Sequence, residues 1–145
     1  MNKVNGGNKQ LIFAIDFDGT CVKHRFPEVG ADVPFAEIVI KRIAGAGHKI
    51  ILWTMRSNND RFPTALSDAR KWYSDRQIPL AGINSNPQQA SWTNSPKCYA
   101  NYYIDDAALG CPLVNVYFED STTLIKESFV DWLTIEKMLE EMGMI

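Results

Sequence analysis

The strongest constraint on this chain is the run Leu11-Ile12-Phe13-Ala14-Ile15, apolar without alternation, which leads directly into Asp16-Phe17-Asp18-Gly19-Thr20. A strand with one wet face alternates between apolar and polar residues. A strand that does not alternate is covered on both faces, as in a parallel sheet. Burying apolar residues right up to a carboxylate is costly unless that charge meets a metal or a hydrogen-bond partner. The first strand, residues 11–16, is therefore expected to end at a site, with Gly19 permitting a sharp exit.

The same pattern returns along the chain. Residues 1–9 are polar and read as a frayed start, and residues 21–33 have no clear period and read as a loop beside the two aspartates. Pro34 is placed to open a helix that ends at Gly45 and Gly47. Residues 48–54 form a second buried strand. Phe62, Leu66, Ala69 and Tyr73 make a helical stripe that stops before Pro79, and Leu80 to Ile83 is a short third strand. Residues 84–97 read as a long loop with room for one helical turn, and residues 100–106 as a fourth strand ending in paired acids. Leu113 to Phe118 is read as a fifth strand, and the stripe Phe129, Trp132, Leu133, Ile135, Met138, Leu139 and Met142 as a closing helix. Trp53 and Trp72 are assigned to the core. Alternating strands and helices predict one α/β domain over residues 10–145, a mainly parallel sheet with crossover helices on both faces.

Composition narrows the function classes. The 145 residues carry a formal net charge of −2, with 46% hydrophobic and 22% charged residues, which suits a globular domain. That balance offers no broad surface to neutralise phosphates, so it argues against non-specific nucleic-acid binding while leaving room for one basic groove. No apolar run nears the ~20 residues that span a bilayer. Cys21, Cys98 and Cys111 are odd in number and show no tight pairing, which points to a reducing, cytoplasmic setting. Cys21-x-x-His24 lacks the second half that a zinc site needs. Gly45-Ala46-Gly47-His48-Lys49 lacks the spacing of a phosphate-binding loop and reads as a helix end leading into a strand.

In open parallel sheets, functional groups gather beyond the carboxyl ends of the strands. Asp16, Thr54 and Asp105 each end a predicted strand, and Lys97 lies just upstream of the fourth. By motif and order these residues resemble the haloacid dehalogenase-like hydrolase superfamily, most of whose members are magnesium-dependent phosphatases. Asp16-Phe17-Asp18-Gly19-Thr20 is similar to its first motif, Thr54 to its second, Lys97 to its third and Asp105-Asp106 to its fourth, together covering residues 11–106.

The resemblance implies a Rossmann-like three-layer sandwich and a phosphomonoester hydrolase. Asp16 would be the nucleophile that forms an aspartyl phosphate. Asp18 would carry the proton, for which a pKa raised toward neutrality suits it. Mg2+ would be held by Asp16, the backbone carbonyl of Asp18 and an acid from Asp105-Asp106, with Asp105 the preferred direct ligand. Lys97 would offset the acids that face a phosphate dianion, and Thr54 would donate to a phosphoryl oxygen. The gaps between motifs leave no room for a separate cap domain, so the site is expected to be open, accepting a bulky or macromolecular phosphoester or borrowing a second copy as a lid. Candidate substrate contacts are His24, Arg25, Arg56, Asn58, Arg61 and Trp92. Arg56 leads because a guanidinium two residues past Thr54 can fork onto a phosphate.

An acid two residues after the nucleophile disfavours carbon–halogen hydrolysis within the superfamily, and an open site disfavours mutase transfer. A signalling receiver domain uses similar residue types, but its acid belongs on the third strand, which here ends Gly82-Ile83-Asn84. A catalytically weak binding domain of the same fold class is the other alternative.

Overall fold

A computed structural model describes residues 9–145, so the frayed start expected for residues 1–9 lies, Lys9 apart, outside the described residues. β1 (Ile12–Ile15) has parallel neighbours on both sides, β2 (Lys49–Leu52) and β4 (Tyr102–Ile104), and β3 (Gly82–Ile83) extends β2 to give the order β3-β2-β1-β4. Phe13 stands level with Ile50 and Tyr102, and Ile15 with Leu52 and Ile104. Hydrogen bonds continue just past the strand ends, from Asp16 N to Ile104 O, Trp53 N to Ile15 O and Asn84 N to Leu52 O. Asp16, Thr54 and Asn84 thus leave the sheet at one edge.

Side chains alternate across a sheet, so Phe13, Ile15, Ile50, Leu52 and Ile104 share a face. That face forms one apolar cluster with α1 (Ala36–Gly45), α2 (Ala65–Asp75) and α3 (Trp132–Glu141) through residues such as Ile40, Ile43, Trp72, Tyr73, Trp132 and Leu139. The opposite face carries the buried Ala14 and Ile51. Asn86, Pro87 and Gln88, at the start of a 3-10 helix over Pro87–Ser91, line a hollow with Ile12 and Ile51 there. The expectation of helices on both faces is corrected accordingly. Right-handed crossovers that step in one direction, β1-α1-β2-α2-β3, put both helices on the same side, and the return from β3 to β4 is a polar loop with one short 3-10 helix. Helix α1 begins two residues after Pro34, because Phe35 takes a left-handed conformation with φ of 66°.

Residues 113–130 depart furthest from expectation. β5 (Leu113–Asp120) is not a fifth strand of the parallel sheet. It pairs antiparallel with β6 (Thr123–Val130) as a separate two-stranded sheet, and Phe129 belongs to β6 rather than to the closing helix. Ser121, with φ of 57°, makes the turn, and Asp131 starts α3 by accepting from Thr134 N. The base of the hairpin is fastened to the first motif: Val130 N donates to Gly19 O and Trp132 Nε1 to Thr20 O. The architecture is α/β, a four-stranded parallel sheet with three α-helices and an added hairpin, compatible with a small Rossmann-like fold. Among the described residues no helix is long and apolar enough to cross a membrane.

Candidate functional site

At the carboxyl edge of the sheet, carboxylate oxygens of Asp16, Asp105 and Asp106 lie within 4.8 Å of one another. They come from the ends of two adjacent strands, β1 and β4. Gly19 makes the approach possible. It has φ of +81°, and a Cβ there would sit 2.2 Å from both Asp106 Oδ2 and His24 Nε2. Thr20 ties the set together, its hydroxyl donating to Asp16 Oδ2 at 2.9 Å and accepting from Asp106 N at 3.3 Å. Burial, and after it the charge of Asp105, push the Asp16 carboxyl up to about 8, with the Thr20 hydrogen bond working the other way.

A cleft of about 360 Å³ opens over this edge, lined by Asp16, Trp53, Thr54, Met55, Asn84 and Asp105. A larger hollow of about 830 Å³ lies between α2 and β3, and its lining holds no acid. Chemistry therefore favours the smaller one. Thr54 N donates to Asn84 Oδ1 at 2.7 Å, and Thr54 Oγ1 accepts from Arg56 N at 3.1 Å. With a lone pair occupied in this way, the hydroxyl proton is left for the cleft. Trp53, assigned to the core from sequence, is half-buried and walls the cleft instead, because the chain leaves β2 at Leu52. Asn84, with φ of 53°, was not singled out by sequence. Its signal was its place at the end of β3, level with the other strand ends.

The other predicted residues divide. Asp18 is outside the carboxylate cluster, and both its oxygens accept from Arg56, at 2.7 and 2.8 Å. Arg56 is not free to bind substrate. Its remaining N–H groups donate to the carbonyls of Pro27, Glu28 and Ala65, which corrects its placement as the leading substrate contact. His24 faces the cluster, its Nε2 hydrogen-bonded to Asp106 Oδ2 at 2.7 Å. Arg25 is exposed beside Glu28, with Nε 3.6 Å from Oε2. Asn58 Oδ1 accepts from Leu66 N and Ser67 N in the first turn of α2, Arg61 lies over the Phe62 ring, and Trp92 packs edge-on against Tyr99. Lys97 holds its ammonium 6.0 Å from the Tyr103 ring centroid, and among the described residues no ion pair joins it to the three acids.

No family model matches the chain, and no curated protein matches it. The chain is similar to a solved structure described as a conserved protein coded by a locus from Bacteroides thetaiotaomicron, with 28% identity, 92% of each chain covered and a TM-score of 0.68.

Proposed function

We propose that the chain is a magnesium-dependent phosphomonoester hydrolase of the haloacid dehalogenase-like type, with Asp16 as nucleophile and an open site. The observation that carries this reading is the convergence of Asp16, Asp105 and Asp106 within 4.8 Å beside a cleft that Thr54 also lines. The donors are all carboxylate oxygens, which suits a hard cation better than a metal that favours nitrogen or sulfur. Burial first, and the charge of Asp105 after it, leave the Asp16 carboxyl pushed up to about 8, a penalty on its ionised form that a cation would relieve. Bound there, the ion would neutralise the acids and the phosphate oxygens.

An Asp16 carboxylate oxygen attacks phosphorus, the ester P–O bond breaks, and the leaving oxygen takes a proton from Asp18. Thr54 donates its free proton to a phosphoryl oxygen. Lys97, with its ammonium over Tyr103 two residues before Asp105, supplies the cation by swinging its long stem. Water then cleaves the aspartyl phosphate, with Asp18 as the proton carrier. Each Asp18 oxygen accepts one N–H from Arg56 and keeps one lone-pair position open, where a proton can be held and passed on. His24 serves by holding Asp106 rather than by meeting substrate. A cytoplasmic setting fits the three free cysteines.

The grip of Arg56 on both Asp18 oxygens also favours a second reading, a phosphate-binding domain with little catalysis. A panel of sugar phosphates, nucleotides, phosphopeptides and phosphorylated nucleic-acid ends, assayed with magnesium, separates the two. Turnover of at least one class that Asp16→Asn abolishes supports the hydrolase. Binding without turnover selects the second reading, and turnover that survives Asp16→Asn removes that residue from its role.

A further inference from the structure

All five N–H groups of Arg56 are used inside the protein. Nε donates to Asp18 Oδ2 (2.7 Å), Nη2 to Asp18 Oδ1 and Glu28 O (both 2.8 Å), and Nη1 to Pro27 O and Ala65 O (both 3.1 Å). The guanidinium carbon also lies 5.1 Å from the Phe17 ring centroid and 5.2 Å from that of Phe26. Backbone and rings from several segments therefore fix this side chain. The ion pair is lopsided: the Arg56 side chain is 1% exposed and that of Asp18 18%. The arginine is the anchored half, and the carboxylate is the half that water reaches. Each carboxylate oxygen has two lone-pair positions, so each keeps one after accepting its N–H.

We propose that Arg56 is a positioning residue that aims Asp18 at the water of the second half-reaction, an inference that rests on the hydrolase reading above. In that step the water oxygen bonds to phosphorus and the bond from phosphorus to the Asp16 oxygen breaks. The electron pair returns to the Asp16 carboxylate, one water proton passes to Asp18, and inorganic phosphate leaves. A carboxylate free to rotate meets that water in only a fraction of its orientations, and a two-point fork removes the rotation. The backbone of the same residue steadies the Thr54 hydroxyl, so the two groups stay in register.

Arg56→Lys keeps the charge and loses the fork. With a leaving group that departs unprotonated, as p-nitrophenolate does, the substitution acts through Asp18 on the hydrolysis of the phosphorylated enzyme alone. With p-nitrophenyl phosphate and magnesium, kcat is expected to fall on the order of a hundredfold. KM falls with it, so that kcat/KM stays within about threefold, and intact-mass spectra at steady state show phosphorylated protein accumulating. Phe26→Leu removes one ring from the guanidinium at a partly exposed position. It is expected to give the same pattern at smaller size, and it decides the matter if Arg56→Lys does not fold. A fall in kcat/KM without phosphorylated protein, or wild-type kinetics in Phe26→Leu, makes Arg56 a packing residue and overturns the inference while the hydrolase reading stands. A wild-type protein that turns over no phosphoester overturns that reading, and the inference with it.

Discussion

The two sheets of this molecule reverse the usual link between strand length and burial. The strands of the parallel sheet run two to four residues, yet β1 and β2 are buried over most of their length, whereas both hairpin strands run eight residues, with β5 largely exposed and β6 buried only at Phe129 and Val130. Coverage makes the difference. β1 has a strand on each side and packed residues on each face, while over residues 115–124 the hairpin pairs only with itself. A hairpin alone is marginal in water. The covered strands can hold carboxylates in fixed relation at their ends, which is what a site needs from its support.

The contrast makes its largest demand on paired core and hairpin substitutions. Ile15 is 0% exposed in β1 and Leu124 is 65% exposed in β6. Ile15→Ala is expected to cost about 3 kcal/mol in urea unfolding, and Leu124→Ala less than about 0.5 kcal/mol. Equal costs would break the comparison and mean that the hairpin is covered after all.

A second effect, read against pH, comes from Asp16. In the metal-free protein its carboxyl stands up to about 8 against an ordinary 3.8, so the folded chain keeps a proton that the unfolded chain has shed. The resulting stability is complete below about pH 4 and is lost as pH rises through about 8. The melting temperature of the metal-free protein is expected to fall between about pH 5 and about pH 8, and magnesium to raise it more at the upper end, where the carboxylates are free to bind. Asp16→Asn should flatten both trends.

The smallest effect concerns the turn. Ser121→Gly relieves a left-handed residue with φ of 57° in a two-residue loop, and is expected to stabilise the hairpin by a few tenths of a kcal/mol, read by amide exchange across β5 and β6. Slower exchange in the hairpin without change in β1 would sharpen the separation of the two sheets.

The parallel sheet was legible in the sequence because each of its strands is an apolar run that stops at a polar residue, and Asp16, Thr54 and Asp105 leave it on one side for that reason. The hairpin was not. Ser121-Thr122 lacks the glycine that marks a tight turn, and Phe129 stands three residues before Trp132, where it mimics the stripe of the following helix. The sequence places Arg56 beside Thr54 and does not reveal that its guanidinium turns inward. Three of its acceptors are backbone carbonyls at residues 27, 28 and 65, and such acceptors have no signature in side-chain identity.

The most direct measurement is the site of phosphorylation during turnover, read by quenching the reaction and mapping peptides by mass spectrometry. A phosphoryl group is expected on Asp16, absent without magnesium and absent in Asp16→Asn. A phosphoryl group on another residue, or sustained turnover with none on Asp16, would contradict it.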